Sequence, residues 1–204
     1  MFIKNTSDEQ KLPELAPPGA GIPFYDRLLL RFVVGPLVAG RAEWKQCELD
    51  FNKVNARILK EVDGLSSAQL SKRILVPPQR GLEDSSRYWS IAMVLEHLTI
   101  VNAAITGGII LLSRGSVPPG KVDIAAVKPI GAGEAKSALD DYKKSVEEEF
   151  KKFLNLIQNR ESKLTYEHPW FGPFNCRQWF WLLATHSAVH LKQIREIKKR
   201  LPLF

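Results

Sequence analysis

An all-α fold, a four-helix bundle preceded by an extended N-terminal arm, is what the amino-acid sequence predicts. Three observations carry the prediction. Four long segments place apolar residues at helical spacing, no segment alternates as a strand does, and no internal repeat occurs. The chain has 204 residues, of which 45% are hydrophobic and 25% charged, enough to bury one sizeable core. Wholesale disorder, a collagen-like chain and a disulfide-stapled scaffold are excluded by the same composition.

Two parts are expected, an arm over 1–41 and the bundle over 42–204. Pro13, Pro17, Pro18, Gly19, Gly21 and Pro23 make the start of the chain extended and non-helical. A short helix around Tyr25 to Val34 follows, ended by Gly35–Pro36. From Ala42 the period is plain. Trp44, Cys47, Phe51, Val54, Ile58 and Val62 are spaced three, four, three, four and four, and the helix stops near Gly64. Residues 64–86 read as a loop with room for one helical turn. A second helix starts at Ser90 as N-cap and runs to about Ser113. Residues 115–133, with Pro118, Pro119 and Pro129, form a long irregular connection. The third helix covers about Glu134 to Asn159 on the stripe Leu139, Tyr142, Val146, Phe150, Phe153 and Ile157. The fourth begins after Asn175, with Gln178 completing a capping box, and reaches Leu201. Connections of about 15 to 25 residues are long for a minimal bundle and often line a functional mouth.

Twenty-nine Lys and Arg against 22 Asp and Glu give a net charge of +7. That balance permits nucleic-acid or anionic-membrane binding without demanding either, and no nucleic-acid partner is expected. The basic run Lys192, Arg195, Lys198, Lys199, Arg200 reads as cations complementing a helix C-terminus. Two distant cysteines, Cys47 and Cys176, with no CxxC pair, fit a reducing, cytoplasmic setting. Lys4, Asp8, Glu9 and Lys11 stand where a signal peptide needs an apolar run. Ile91 to Leu112 is long enough to span a bilayer, but Glu96, His97 and Asn102 make it a helix buried in protein. The apolar stretch from Ile22 to Gly40 leaves a membrane-surface or dimer contact open.

The chemistry rests on the histidines. His186 and His190 stand at i, i+4 on the fourth helix, so both imidazoles share one face and can chelate one ion. They fall on the inward stripe Trp179, Leu183, His186, His190, Gln193, Ile197, where a plain bundle would place Leu or Ile. His97 projects into the same interior if the second and fourth helices face one another. Taken singly, each is as well read as a packed core histidine. Gln193 is a candidate to orient an imidazole or substrate, or else is exposed toward the bundle end; Asp50 and Glu96 are candidates to orient an imidazole, although Glu96 adjoins His97 and should point elsewhere. His168, just before a proline, reads either as a structural hydrogen bond in the turn into the fourth helix or as part of a pocket wall near the histidines, while Trp170, Phe171 and Phe174 either floor a pocket or seal a bundle end. Cys176 reads as an inert thiol and Cys47 as core. GxGxxG, Walker A, GxSxG and CxxC patterns are all missing.

These residues resemble a family. Trp89-Ser90-Ile91-Ala92-Met93-Val94-Leu95-Glu96-His97-Leu98 is similar to the second-helix signature of the DinB/YfiT-like metalloenzymes. The run His168-Pro169-Trp170-Phe171-Gly172, then Gln178-Trp179 and His186-x-x-x-His190-Leu191-x-Gln193-Ile194, resembles one branch of that superfamily. The likeness covers about 42–201; the arm and the long 115–133 excursion fall outside it. It implies a four-helix bundle, often a homodimer, with one divalent transition metal (Zn, Ni or Fe) held by His97, His186 and His190. It also implies a small-molecule substrate and, as in most members of known activity, a low-molecular-weight thiol used by a transferase or isomerase, although many members have no assigned reaction. Three neutral imidazoles leave coordination positions open, the pattern of a catalytic site that activates water or a thiol. The alternative is a non-catalytic bundle that binds metal or a small ligand.

Overall fold

A computed structural model describes residues 13–202. Lys4, Asp8, Glu9 and Lys11, used above against a signal peptide, lie outside them. Seven α-helices carry the fold: α1 (Phe24–Leu29), α2 (Trp44–Val62), α3 (Ser67–Ser71), α4 (Ile91–Ser113), α5 (Ala135–Lys144), α6 (Phe150–Leu156) and α7 (Cys176–Lys198). Of these, α2, α4, the continuous α5–α6 rod and α7 form the four-helix bundle, and α7 lies against both α2 and α4.

Pairings between helix ends give the topology. Trp44 at the start of α2 packs on Phe180 near the start of α7, at 4.6 Å between ring centroids. Glu61 near the end of α2 pairs with Arg195 and Lys198 near the end of α7, so these two run parallel. Cys176 at the start of α7 meets the carbonyl of Ile109 near the end of α4, so α4 runs the other way. The carboxylate of Glu96, early in α4, takes the amides of Ile130 and Gly131 just ahead of α5. The amide of Asn159 donates to the carbonyl of Ser113 at the far end, so α4 and α5–α6 are parallel. The order is up, down, down, up. Two consecutive parallel helices need a chain that returns along the bundle, which explains the long 115–133 excursion.

The expected stripe of α2 is buried throughout, and Cys47 is in the core as expected. Ser90 caps α4 by accepting from the Met93 amide, and Asn175 with Gln178 closes the capping box of α7. Tyr142, buried in α5, donates to Asn55 of α2, while Phe51 and Phe150 stack at 4.2 Å. α4 is the one described helix long and apolar enough to cross a membrane, with mean hydropathy 1.6, and here it packs against α5 and α7 of the bundle.

Several expectations need correction. Gly35–Pro36 does not end the first helix. The chain widens into a π-helix over Leu30–Val38 with Pro36 inside it. Proline cannot bond the i−4 carbonyl and its ring crowds it; the wider turn relieves both. A Cβ at Gly35 would stand 3.1 Å from the Leu30 carbonyl oxygen and 3.5 Å from that of Phe171, so glycine lets this segment close on the chain around Phe171. The third helix is α5 and α6 joined by a π turn, Ser145–Glu149, and it ends at Leu156, short of Asn159. α7 stops at Lys198, short of Leu201. Two small antiparallel ribbons were not foreseen: β1 (Ile74–Leu75) with β2 (Tyr88–Trp89), and β3 (Tyr166–His168) with β4 (Gly172–Phe174).

The arm lies along the bundle. The Ala16 amide donates to Asp84 at 2.8 Å, the Gly21 amide to Glu83 at 2.9 Å, and Ile22 is buried. The outer face of α1 and the π segment is apolar and exposed, with Tyr25 at 82% and Phe32 at 65%.

Candidate metal centre

Antiparallel packing puts His97, early in α4, level with His186 and His190, late in α7. The Nε2 atoms of His97 and His190 lie 3.3 and 3.2 Å from Nε2 of His186, and all three candidate ligand atoms fall within 4.8 Å of one another. Three imidazole nitrogens about 2.1 Å from one ion at tetrahedral angles would stand about 3.4 Å apart. Two edges of the triangle therefore already have the ligand spacing.

The outer nitrogens show which protons the rings carry. His97 Nδ1 faces the Val127 carbonyl at 2.7 Å, an acceptor only, so it holds the proton and Nε2 is bare. His190 Nδ1 faces Gln193 Oε1 at 2.7 Å, and the same amide donates through Nε2 to the Ser86 carbonyl at 2.7 Å. That second bond fixes the amide's orientation, so His190 Nε2 is bare as well. His186 Nδ1 is buried without a partner. At most one proton is left for two short N···N contacts, and one of them must oppose two lone pairs. A divalent cation between the nitrogens removes the conflict, so these residues fit a metal.

Protonation offers no other escape. Burial pushes His97 down to about 4 and holds His186 and His190 well below the ordinary imidazole value, with the neighbouring histidines adding to the effect. Trp89 walls the cluster, stacked on His190 with ring planes 7° apart. Beside it the Lys128 ammonium pairs with Glu83, donates to the Ser86 hydroxyl at 2.7 Å and lies over the Trp89 ring. Burial lowers the Lys128 pKa, partly offset by Glu83.

The cluster opens onto a cavity of about 810 Å³ walled by α4, α7, the π segment, the 118–128 chain and the His168–Phe171 turn. His168, Trp170 and Phe171 all line it. His168 Nδ1 accepts from the amides of Trp170 and Phe171 at 3.0 and 3.3 Å, so its proton sits on Nε2. Burial takes its pKa down to about 3. The structural hydrogen bond and the pocket wall, weighed against each other in the sequence, are both present in this one side chain.

Gln193, fully buried, reaches His190. Asp50 does not approach a histidine: it is exposed on α2 and accepts from Gln46. Glu96 points away from His97 and anchors the backbone amides of Ile130 and Gly131. Cys176 is buried and its thiol pKa raised by burial. Sequence reasoning missed Val127, Lys128, Glu83 and Ser86. They lie in the connections between the long helices, and no periodicity marks a carbonyl there as a histidine's partner.

The fold and this cluster define a histidine-bearing four-helix bundle. The sequence profile of the DinB superfamily matches residues 50–194, so the chain belongs to that superfamily. YfiT from Bacillus subtilis, described as "a probable metal-dependent hydrolase with an unusual four-helix bundle topology", superposes with a TM-score of 0.53 at 14% identity. The match covers 91% of this chain and 93% of that one. TT2238, described as a four-helix bundle protein, matches at 20% identity and a TM-score of 0.49, covering 75% of this chain and 98% of its own. No curated protein matches the chain.

Proposed function

We propose that the protein is a divalent-metal-dependent enzyme in which His97, His186 and His190 hold the ion and the adjoining cavity holds an electrophilic substrate. The observation that carries this reading is the convergence of three neutral imidazole nitrogens, two of them stripped of their protons by fixed outer partners, at the end of a large cavity. A bound ion would supply a nucleophile at neutral pH by lowering the pKa of water or a thiol. The description of YfiT as a probable metal-dependent hydrolase supports water, hence hydrolysis, in which the water oxygen would join the electrophilic carbon, the bond to the leaving group would break, and the proton would depart with that group.

The chain's own residues have separate parts in this scheme. Val127 and Gln193 orient two imidazoles. His168, neutral and protonated on Nε2, supplies a hydrogen-bond donor on the cavity wall for a substrate oxygen. Lys128, held by Glu83, places a half-buried cation beside the cluster for an anionic group. Trp170 and Phe171 wall the substrate from solvent.

A second reading replaces water by a low-molecular-weight thiol, giving an S-transferase or isomerase. What favours it is volume, since 810 Å³ admits two reactants together. Metal-loaded protein given ester and thioester substrates, with and without cysteine or glutathione, separates these. Release without thiol supports the hydrolase, and release only with thiol supports the transferase. No turnover by protein that holds its ion would reduce the molecule to a metal-binding bundle.

A further inference from the structure

The cavity is longer and more apolar than a small electrophile needs. His97, Val101, Ile105, Gly108 and Leu111 all line it from α4. They are spaced four, four, three and three, so they form one continuous helix face. From His97 to Leu111 is fourteen residues, about 21 Å at the helical rise. Everything on that face beyond His97 is apolar or lacks a side chain. The opposite walls match it: Leu30 and Val34 from the π segment, Val122 and Ile124 from the crossover. In the most apolar stretch of α4 only 44% of residues are buried. Part of the remainder faces the cavity.

Glycine keeps the channel open. A Cβ at Gly107 would meet nothing within 4 Å, and one at Gly108 only the Pro118 ring at 3.7 Å. Two glycines in the interior of a helix cost about 1 kcal/mol each relative to alanine. Here their absent side chains leave room between α4 and the crossover. Charge is distributed just as unevenly. Among the charged cavity residues described, Arg80, Lys121 and Asp123 are exposed, whereas the half-buried Lys128, with its buried partner Glu83, stands at the histidine end.

We propose that the cavity takes a long-chain acyl compound, its chain laid along α4 from His97 toward Leu111 and its carbonyl or carboxylate head at the histidine cluster and Lys128. The proposal rests on the metal-site reading for the head, while the chain's place rests on the apolar wall alone. An acyl chain would cover apolar surface that the protein leaves uncovered, and an anionic head would meet the Lys128 ammonium.

The test is binding of saturated fatty acids of four, eight, twelve and sixteen carbons, below their micellar concentrations. It is read by quenching of the tryptophans that line the cavity, on metal-free and on zinc-loaded protein. Affinity is expected to climb with length, by up to about fourfold per methylene, in both forms. Gly108→Leu, a substitution that favours the helix, should abolish the gain beyond eight carbons and weaken the sixteen-carbon acid more than tenfold. Its zinc content should stay that of the parent. Equal affinity for all lengths, no binding of the longer acids, or an unaffected Gly108→Leu variant would overturn the channel, even in protein that binds zinc normally. Length dependence in a chain that takes up no metal would uphold the channel and refute the metal site instead.

Discussion

At the scale of single residues, the Gln193 amide does the most to define the site. It is fully buried, accepts from His190 and donates to Ser86, and so fixes the imidazole's tautomer from behind. Gln193→Leu keeps most of the volume and removes both bonds. Zinc affinity measured by calorimetry should fall about tenfold to a hundredfold, the usual cost of removing a partner that orients a ligand. Unchanged affinity would mean that His190 needs no such partner. The Ser86 carbonyl left unpaired adds a stability loss of about 1–3 kcal/mol. How much of this can be read in sequence varies by residue. The i, i+4 pair His186 and His190 and the inward stripe are legible because helical periodicity fixes which face they share. Asp50 misleads because a carboxylate on a helix carries no mark of facing solvent. Val127 and Lys128 are silent because their role comes from a backbone path rather than from a side-chain pattern.

At the scale of elements, the helix starts are the most readable features. Ser90 and Asn175 cap as their sequences require, since a cap is a local arrangement of side chain and backbone within a few residues. Asn175→Ala should therefore cost about 1 kcal/mol and lower the melting temperature by about 2–4 °C, without disturbing the histidine spacing. The π segment was misread because proline usually ends helices, and only a widened turn packed against the Phe171 turn reverses that. Gly35 permits this approach. Gly35→Val would press a branched side chain between two backbone oxygens and should lower the melting temperature more than Asn175→Ala does. An equal or smaller loss would show that the segment can shift freely off the His168–Phe171 turn. The two ribbons escaped notice because pairs of two or three residues are too short to alternate.

At the scale of the whole molecule, the up, down, down, up order determines where the site can form. It makes α4 and α7 antiparallel, which brings three histidines level, and it forces the crossover that carries Val127 and Lys128 over them. The composition and periodicity predict four helices but not their directions, because direction is decided by long-range pairings such as Glu61 with Lys198. The buried imidazoles also give the molecule a pH dependence. Folded His97 titrates at about 4, His168 at about 3, and His186 and His190 well below the ordinary value near 6.5. As pH falls below about 6.5 the unfolded chain takes up protons that the folded chain refuses, so stability present above that pH is lost. His97 alone contributes a loss of about 3 kcal/mol by pH 4, where its share levels off. Denaturant titrations of metal-free protein between pH 7.5 and 5 should show this decline, and a flat profile would mean that these rings are solvated.

Whether His97, His186 and His190 together hold one divalent ion is read most directly by elemental analysis. The protein is purified without affinity tag or chelator, beside a His186→Ala, His190→Ala double variant whose helical content is checked by circular dichroism. About one equivalent of Zn, Ni or Fe in the parent and none in the folded variant is the predicted result. A parent that carries no metal and takes none up from any of the three ions would contradict it, and would make the histidine triangle a packing motif.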